Sequence, residues 1–274
     1  ALAQGDLVAA AEAAAEAMIP VYVLNLARSP ERRAFMAQGL AQAGIAPEFV
    51  AAIDGRARRL PRHPRLSSAE TALILSHRKA WRRLLASPAD HAVVLEDDTH
   101  LGHGLSGLLG ADWGRVRFDL VKLETVFDRV WLARRGIALS DRTLRRLGAE
   151  HLCSAGYLVS RAGALKLLAA TRALAAPIDH TLFGRAAIFE RRLVAYQLDP
   201  AIVVQDNLHP DPAARWGVAT TLHETDRARL AAAAKRDKPR GLARLAREAG
   251  RLIDQARRAA RLLPTMRRVR VSWR

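Results

Sequence analysis

Apolar residues follow two rhythms along this chain. Short, nearly unbroken β-rich runs recur, and between them lie longer stretches where apolar positions return every three or four residues. Pro20 to Leu26 (PVYVLNL) is the first run and reads as a buried strand. Ser29-Pro30-Glu31 opens a helix: the serine can cap free N–H groups, proline fits the first turn, and Gly44 is the stop after about Ala43. Glu48 to Ile53 forms a second strand, closed by an Asp54-Gly55 turn. Arg56 to Pro64, basic and proline-containing, is a loop. Ser67 and Glu70 fit a capping box ahead of a helix over about 68–86, on which Leu73, His77, Trp81 and Leu84 share a face.

Strands follow at Ala92 to Leu95 and Phe118 to Leu123. Residues 125–150 carry no single rhythm and read as mixed strand and helix. Ala155 to Val159 is a further strand, with Ser160 capping a helix over Arg161 to Ala170 that Gly163 weakens. Pro177 to Phe183 reads as loop or helix start, Leu193 to Ala195 and Ile202 to Val204 as short strands, and the body ends near Trp216. Alternating strands and helices predict an α/β fold: a mostly parallel central sheet flanked by helices, with ligands taken at strand ends.

With 274 residues, half of them apolar, the chain is long enough for one large core or two small domains and is not a disordered polymer. Its single cysteine, Cys153, excludes an internal disulfide and a cysteine-built metal site. Ala1 to Ala17 carries Asp6, Glu12 and Glu16 and lacks both the positive start and the unbroken apolar stretch of a secretory signal. No window of about 18 residues is apolar and uncharged, so no spanning helix is expected. The net charge is +17, of which residues 227–274 supply +13 from sixteen Arg or Lys and three Asp or Glu. The chain therefore divides into an Ala-rich segment (1–19), a mildly basic body (20–226) and a basic, helical tail (227–274). Leu242, Leu245, Ala249, Leu252, Ala256 and Ala260 line one face of that tail, a pattern that suits an anionic membrane surface or packing on the body or a partner.

Dinucleotide fingerprints, phosphate loops, zincin motifs and nucleophile elbows are all absent. The strongest chemical signal is Val93-Val94-Leu95-Glu96-Asp97-Asp98, three carboxylates directly after a buried strand. Such a cluster reads either as hard oxygen ligands for magnesium or manganese held together with substrate phosphates, or as a solvated acidic turn. Asn25, Arg28 and Arg32 stand where the first strand meets the next helix; an arginine there can fork onto a diphosphate or pair with a nearby acid.

These pieces together resemble the lipopolysaccharide galactosyltransferases of glycosyltransferase family 25, which are themselves similar to collagen galactosyltransferase domains. The resemblance runs through Val23-Leu24-Asn25-Leu26-Ala27-Arg28-Ser29-Pro30-Glu31-Arg32-Arg33, Ala52-Ile53-Asp54-Gly55, Glu70 to His77 with Trp81 beyond, Val94 to Asp98, Ser154 to Ala164, and Pro177-Ile178-Asp179. It departs where the family has Gly-Glu-(Ile/Val)-Gly-Cys and this chain has Ala69-Glu70-Thr71-Ala72-Leu73. The loss of both glycines bears on the substrate loop and the acceptor. The resemblance covers residues 20 to 180 and not the tail.

The resemblance implies a GT-A fold, inversion at the sugar, a UDP-sugar donor and Mn2+ or Mg2+ at the acidic cluster. Within that frame Asp98 is the first choice for metal contact, Glu96 a ribose or water-mediated partner, and Asp97 a residue turned back to the scaffold. Asp206 and His209 are candidate late-loop ligands or ordinary loop residues. Ser76 and His77 match the family's Ser-His pair, with His77 reading equally as a core histidine. Asp179 occupies the position of the family's Pro-(Val/Ile)-Asp and is the candidate base, with Glu124 and Asp128 as alternatives. Tyr157 could stack on the sugar or sit in the core. The expected activity moves a hexose, most plausibly galactose from UDP-galactose, onto a lipopolysaccharide, oligosaccharide or lipid-linked glycan. It would take place in the cytoplasm, with the tail holding the protein on the inner face of the membrane. The rivals are UDP-glucose as donor, a basic nucleic-acid-binding module without a recognisable reading motif, and an inactive transferase-like scaffold.

Overall fold

A computed structural model describes residues 19–56, 60, 63, 65–216 and 264–274. The Ala-rich segment, apart from Ile19, and the leucine stripe over 241–263 lie outside them. Strands β1 (Val21–Asn25), β2 (Glu48–Ala51), β3 (His91–Glu96), β5 (Leu120–Lys122), β7 (Ile137–Leu139), β8 (Arg142–Arg146), β9 (Gly156–Ser160) and β10 (Ala195–Asp199) make one eight-stranded sheet in the order β2-β1-β3-β9-β5-β10-β8-β7. Register pairs β1 parallel to β2 and β3, and β5 parallel to β10, while β9 runs against β3 and β5, and β8 against β7 and β10. All strands but β8 and β9 therefore point the same way. The expected mostly parallel sheet is present, with two reversed strands inserted into it.

Alternation explains why the strand runs are almost continuously apolar. Tyr22, Leu24 and Val94 pack on one face with Trp81, Leu84, Leu167 and Phe183, whereas Val21, Val23, Val93 and Leu95 pack on the other with Met36, Leu40, Leu105 and Trp113. Both faces of the central strands are dry. Helices α2 (Ser68–Ala86), α4 (Arg161–Ala170) and α5 (Ile178–Phe183) cover the first face; α1 (Pro30–Gln42) and the short α3 (Leu105–Leu109) cover the second.

The predicted helix ends hold for α2, where Ser67 and Glu70 close both bonds of a capping box. Gly44 ends α1 at φ +71°, with the Ile45 N–H bonded to the Leu40 carbonyl. Ser29, expected to cap α1 with its side chain, makes no such bond; Pro30 enters the first turn unaided, and the Ser29 carbonyl instead accepts from Asn25.

Residues 125–150, expected to mix strand and helix, form only strands: β6 (Arg129–Ala133), β7 and β8. The tail also differs from expectation. Within the span predicted to be helical, Met266–Arg270 is a strand, β12, antiparallel to β6. Its alternation of Val269 and Val271 with Arg268 and Arg270 has period two, and Val271 is fully buried in the core. The body therefore continues past Trp216 into residues 264–274. Strands β4 (Thr99–Leu101) and β11 (Val203–Gln205) form a separate antiparallel ribbon, which brings the late loop beside the acidic motif.

Candidate active site

The acidic motif sits where β3 leaves the sheet, and the three carboxylates meet three different environments. Asp97 is buried and turned into the scaffold. Its Oδ2 accepts from Asn25 Nδ2 at 2.8 Å and its Oδ1 from Arg32 Nη1 at 3.0 Å. Asn25 also donates to the Ser29 carbonyl, so one side chain ties the end of β1, the start of α1 and the motif together. Arg32 is 5 % exposed and engaged with Asp97, and it lines the first of the cavities described below.

Glu96 caps a chain of buried polar groups. The Trp81 indole donates to the Tyr157 hydroxyl at 2.8 Å, and that hydroxyl lies 2.8 Å from His77 Nδ1. Because the indole can only donate, the hydroxyl proton is free for Nδ1, which places the imidazole proton on Nε2. Nε2 faces Glu96 Oε1 at 3.5 Å. Ser154 Oγ donates to the same oxygen at 2.6 Å. Burial works against charge on Glu96, but His77, Ser154 and Lys122 outweigh it and hold the carboxyl below the usual range. His77 and Tyr157 are both fully buried, so each is a core relay that does not reach a ligand.

Asp98 is the unbalanced member. Its Oδ1 is buried and has no hydrogen-bond partner. Burial, followed by the neighbouring Glu96 charge, pushes its carboxyl up to about 7 despite the presence of Arg32. A buried oxygen of this kind seeks a cation or a proton. The Asp98 carbonyl accepts from the Asp206 N–H at 2.9 Å, which fixes the late loop against the motif.

The predicted ligand set Glu96, Asp98, Asp206 and His209 does not converge. No group of three or more potential ligands exists among the described residues. The Asp206 carboxylate is 2.8 Å from His100 Nε2 and accepts from the Trp216 N–H, while His209 Nδ1 meets the Asp211 backbone and its ring packs between His100 and Trp273. The β4–β11 register brings the late loop beside the motif, but Asp206 is engaged with His100 and His209 with the Asp211 backbone.

Two adjoining cavities flank Glu96. One is lined by Leu24, Leu26, Ala52, Ile53, Ala72 and Leu73 as an apolar floor, and by Arg28, Arg56, Asp54 and the acidic motif as a polar wall. Arg28 faces it and pairs with Asp54 at 2.6 Å. Ser76 also lines it, accepting from the Ile53 N–H and donating to the Ala72 carbonyl, and so pins the β2 exit loop to α2. The second cavity shares Glu96 and Leu73 with the first and adds Glu70, Cys153, Ser154, Asp179, His180 and Gln205. Asp179, at the start of α5, accepts from the His180 N–H at 2.8 Å.

Glu124, an alternative base, is fully buried; its Oε1 accepts from Lys122 Nζ and the Ala155 N–H, so it cannot reach a ligand, and Asp128 lies on the exposed surface. Lys122 also donates to the Cys153 carbonyl, bracing a residue held at φ +78°. This brace was not predicted, although a lysine and a glutamate two residues apart in an apolar strand necessarily share a face. Glu70, Cys153, His180 and Gln205 were also missed as lining groups, because only the fold gathers them.

The chain is similar to known proteins over most of its length. The chain is 31% identical over 239 residues to the lacto-N-neotetraose biosynthesis glycosyltransferase LgtB of Neisseria meningitidis, covering 80% of this chain and 85% of that one. It is 31% identical over 209 residues to LgtE of Neisseria gonorrhoeae, of the same description, covering 68% and 73%. An inactive glycosyltransferase 25 family member 3 from Mus musculus is 29% identical over 173 residues, covering 54% of this chain and 28% of that protein. The family model described as glycosyltransferase family 25 (LPS biosynthesis protein) matches residues 18–182, which hold β1, the acidic motif, the lining of the first cavity and Asp179, and the chain belongs to that family.

Proposed function

We propose that the first cavity binds the nucleoside diphosphate of a UDP-hexose and the second holds the hexose and the attacking glycan hydroxyl. The observation that carries this reading is the unpaired, buried oxygen of Asp98, which lines the first cavity two residues beyond Glu96, the acid that lines both. Such an oxygen fits a divalent cation, and a hard ion bound by one or two carboxylates completes its shell with substrate phosphates and water. Asp98 would hold it, with Glu96 alongside; when bound, it would offset the negative charge of the departing diphosphate.

The protein's own groups do the rest. Asn25 and Arg32 consume the charge of Asp97 and hold the motif rigid, while the Trp81–Tyr157–His77 chain and Ser154 keep Glu96 ionised and oriented. Arg28, released from Asp54, forks onto the diphosphate. The second cavity presents Glu70, Glu96 and Asp179 with Gln205 and Ser154, a lining that accepts hydrogen bonds from a neutral polyhydroxyl ligand and repels an anionic one. Asp179 takes the proton of the acceptor hydroxyl as that oxygen bonds to the anomeric carbon from the face opposite the phosphate; the carbon–phosphate-oxygen bond breaks, UDP leaves, and configuration inverts. Galactose from UDP-galactose, passed to a lipopolysaccharide-type glycan at the cytoplasmic face of the membrane, is the reading supported by the family description and by relatives named for lacto-N-neotetraose biosynthesis.

Manganese-dependent UDP titration and single-turnover transfer, with UDP-galactose and UDP-glucose as rival donors, test this. Asp98→Asn should stay folded, lose the manganese dependence of UDP binding, and slow transfer by roughly a hundredfold or more. Asp179→Asn should keep metal-dependent UDP binding while transfer collapses. A folded Asp98→Asn protein that transfers sugar like the parent would remove the motif from catalysis.

A further inference from the structure

The ribbon formed by β6 and β12 has an outer face that makes no sense as a closed surface. In an antiparallel pair, residues directly opposite share a face. Arg270 lies opposite Arg129, Arg268 opposite Trp131, and Met266 opposite Ala133. The intervening pairs, Val269 with Val130 and Arg267 with Leu132, alternate to the other side, where Val130 and Leu132 are buried in the core while Arg267, at the ribbon's end, is exposed. The outer face therefore presents Arg129, Arg268 and Arg270, all exposed, around the partly exposed Trp131 and Met266.

Like charges set directly opposite across a strand pair destabilise it. Among the described residues, none of these three arginines forms an ion pair with a carboxylate. Asp128, next to Arg129, is exposed and a single charge against three. Residues 217–263 add to the excess, with twelve Arg or Lys against five Asp or Glu. The ribbon also follows Glu124 after a short loop, at the end of the sheet where β3 and β5 open into the site.

We infer that this face docks on an anionic phospholipid bilayer. A two-stranded ribbon meets a plane along its length. Guanidinium groups at both strands reach headgroup phosphates, while the indole of Trp131 and the thioether of Met266 enter the interfacial layer between them. This surface is distinct from the leucine stripe expected over 241–263, and it does not depend on the donor reading.

The test uses the full chain in flotation with phosphatidylglycerol–phosphatidylcholine vesicles and with phosphatidylcholine alone. The parent should bind only the anionic vesicles, and more weakly as salt rises. The triple change Arg129→Gln, Arg268→Gln and Arg270→Gln should weaken that binding by roughly 100-fold, at about a factor of five for each arginine removed. The matching triple change to lysine should retain most of it. Soluble-donor turnover should be unchanged by either, and melting temperature should not fall, since the glutamines relieve the Arg129–Arg270 repulsion; this separates the surface from the catalytic site. The inference is overturned if the glutamine variant binds anionic vesicles like the parent, or if the parent ignores vesicles yet binds a duplex oligonucleotide through these same arginines.

Discussion

Buried titratable side chains in this protein come as a linked set, and the set predicts how the fold responds to acid. Lys122 Nζ donates to Glu124 Oε1 and to the Cys153 carbonyl, both at 2.7 Å, with no solvent contact. Gln197 Nε2 donates to the Glu124 carbonyl, and its Oε1 accepts from His151 Nδ1, 2.8 Å away. Since a Gln carbonyl oxygen can only accept, Nδ1 carries the proton there. Burial, and then the Lys122 charge, hold the His151 ring down at about 3. The unfolded chain takes up this proton near pH 6.5, a typical free histidine value, and the folded chain does not. Between those values the unfolded state binds more protons, so stability rises with pH; the contribution is complete above about pH 6.5 and drains as pH falls toward 3. Going from about pH 6.5 to about pH 5 should cost roughly 2 kcal/mol from this one group, a fall in Tm of roughly 4 °C or more. A His151→Gln variant should lose some stability at neutral pH but show a flatter acid limb. Identical slopes in the two melting profiles would assign the acid lability elsewhere. Cys153, by contrast, is kept a thiol: burial pushes it up to about 12, so it lines the second cavity as a neutral group.

Elements were legible from the sequence wherever period and end signals agreed. The PVYVLNL run, the capping box at Ser67 and Glu70, and the strand ending in Glu96 are all where alternation and turn chemistry put them. What could not be read depended on pairing between distant segments. Residues 125–150 alternate weakly because β7 lies at a sheet edge with Ile137 and Ala138 exposed, and the strands β6 and β12 become recognisable only when each has the other. The site divided along the same line. Asp97 facing inward is expected from the resemblance, while its bonds to Asn25 and Arg32 and the commitment of Asp206 to His100 join distant segments through strand pairing and register, which local sequence does not disclose. Gly163 shows how local rules can mislead. Helix propensity alone says that alanine there should stabilise α4 by up to about 1 kcal/mol. However, a Cβ at 163 would lie 2.2 Å from the Asp119 carbonyl oxygen, since α4 crosses against the start of β5 with only backbone between them. Gly163→Ala should therefore destabilise the protein by roughly 1–3 kcal/mol, as overpacking does. A variant that melts at or above the parent temperature would show that α4 can shift away without cost.

At the scale of the whole molecule, the segment 264–274 is a structural part of the body, and its removal should be felt in the site. Val271 is fully buried, and its carbonyl accepts from Thr125 Oγ1 at 2.8 Å. The Ser272 carbonyl accepts from the Ala201 N–H, and the Arg274 N–H donates back to the Ala201 carbonyl at 3.0 Å. Arg142 gathers the same region, donating to the carbonyls of Pro200, Ala201, His103 and Arg274. Ala201 leads into β11, which ends at Gln205, a residue lining the second cavity, and the next residue, Asp206, donates its N–H to the Asp98 carbonyl. The returning segment thus supports the floor beneath the late loop. Val271→Ala should cost roughly 2 kcal/mol through lost burial and the small void left behind, a fall in Tm of roughly 4–8 °C. Ending the chain at residue 263 should cost more, because it uncovers Val130 and Leu132 and strips β6 of its partner strand. It should also weaken manganese-dependent UDP binding, although no deleted residue lines either cavity flanking Glu96, while Val271→Ala should leave that binding nearly intact. Melting curves and UDP titrations on the two variants separate the effects. A shortened protein that melts with the parent would show that the segment packs on a body already complete, and a destabilised one with undiminished UDP affinity would show that the support stops short of the late loop.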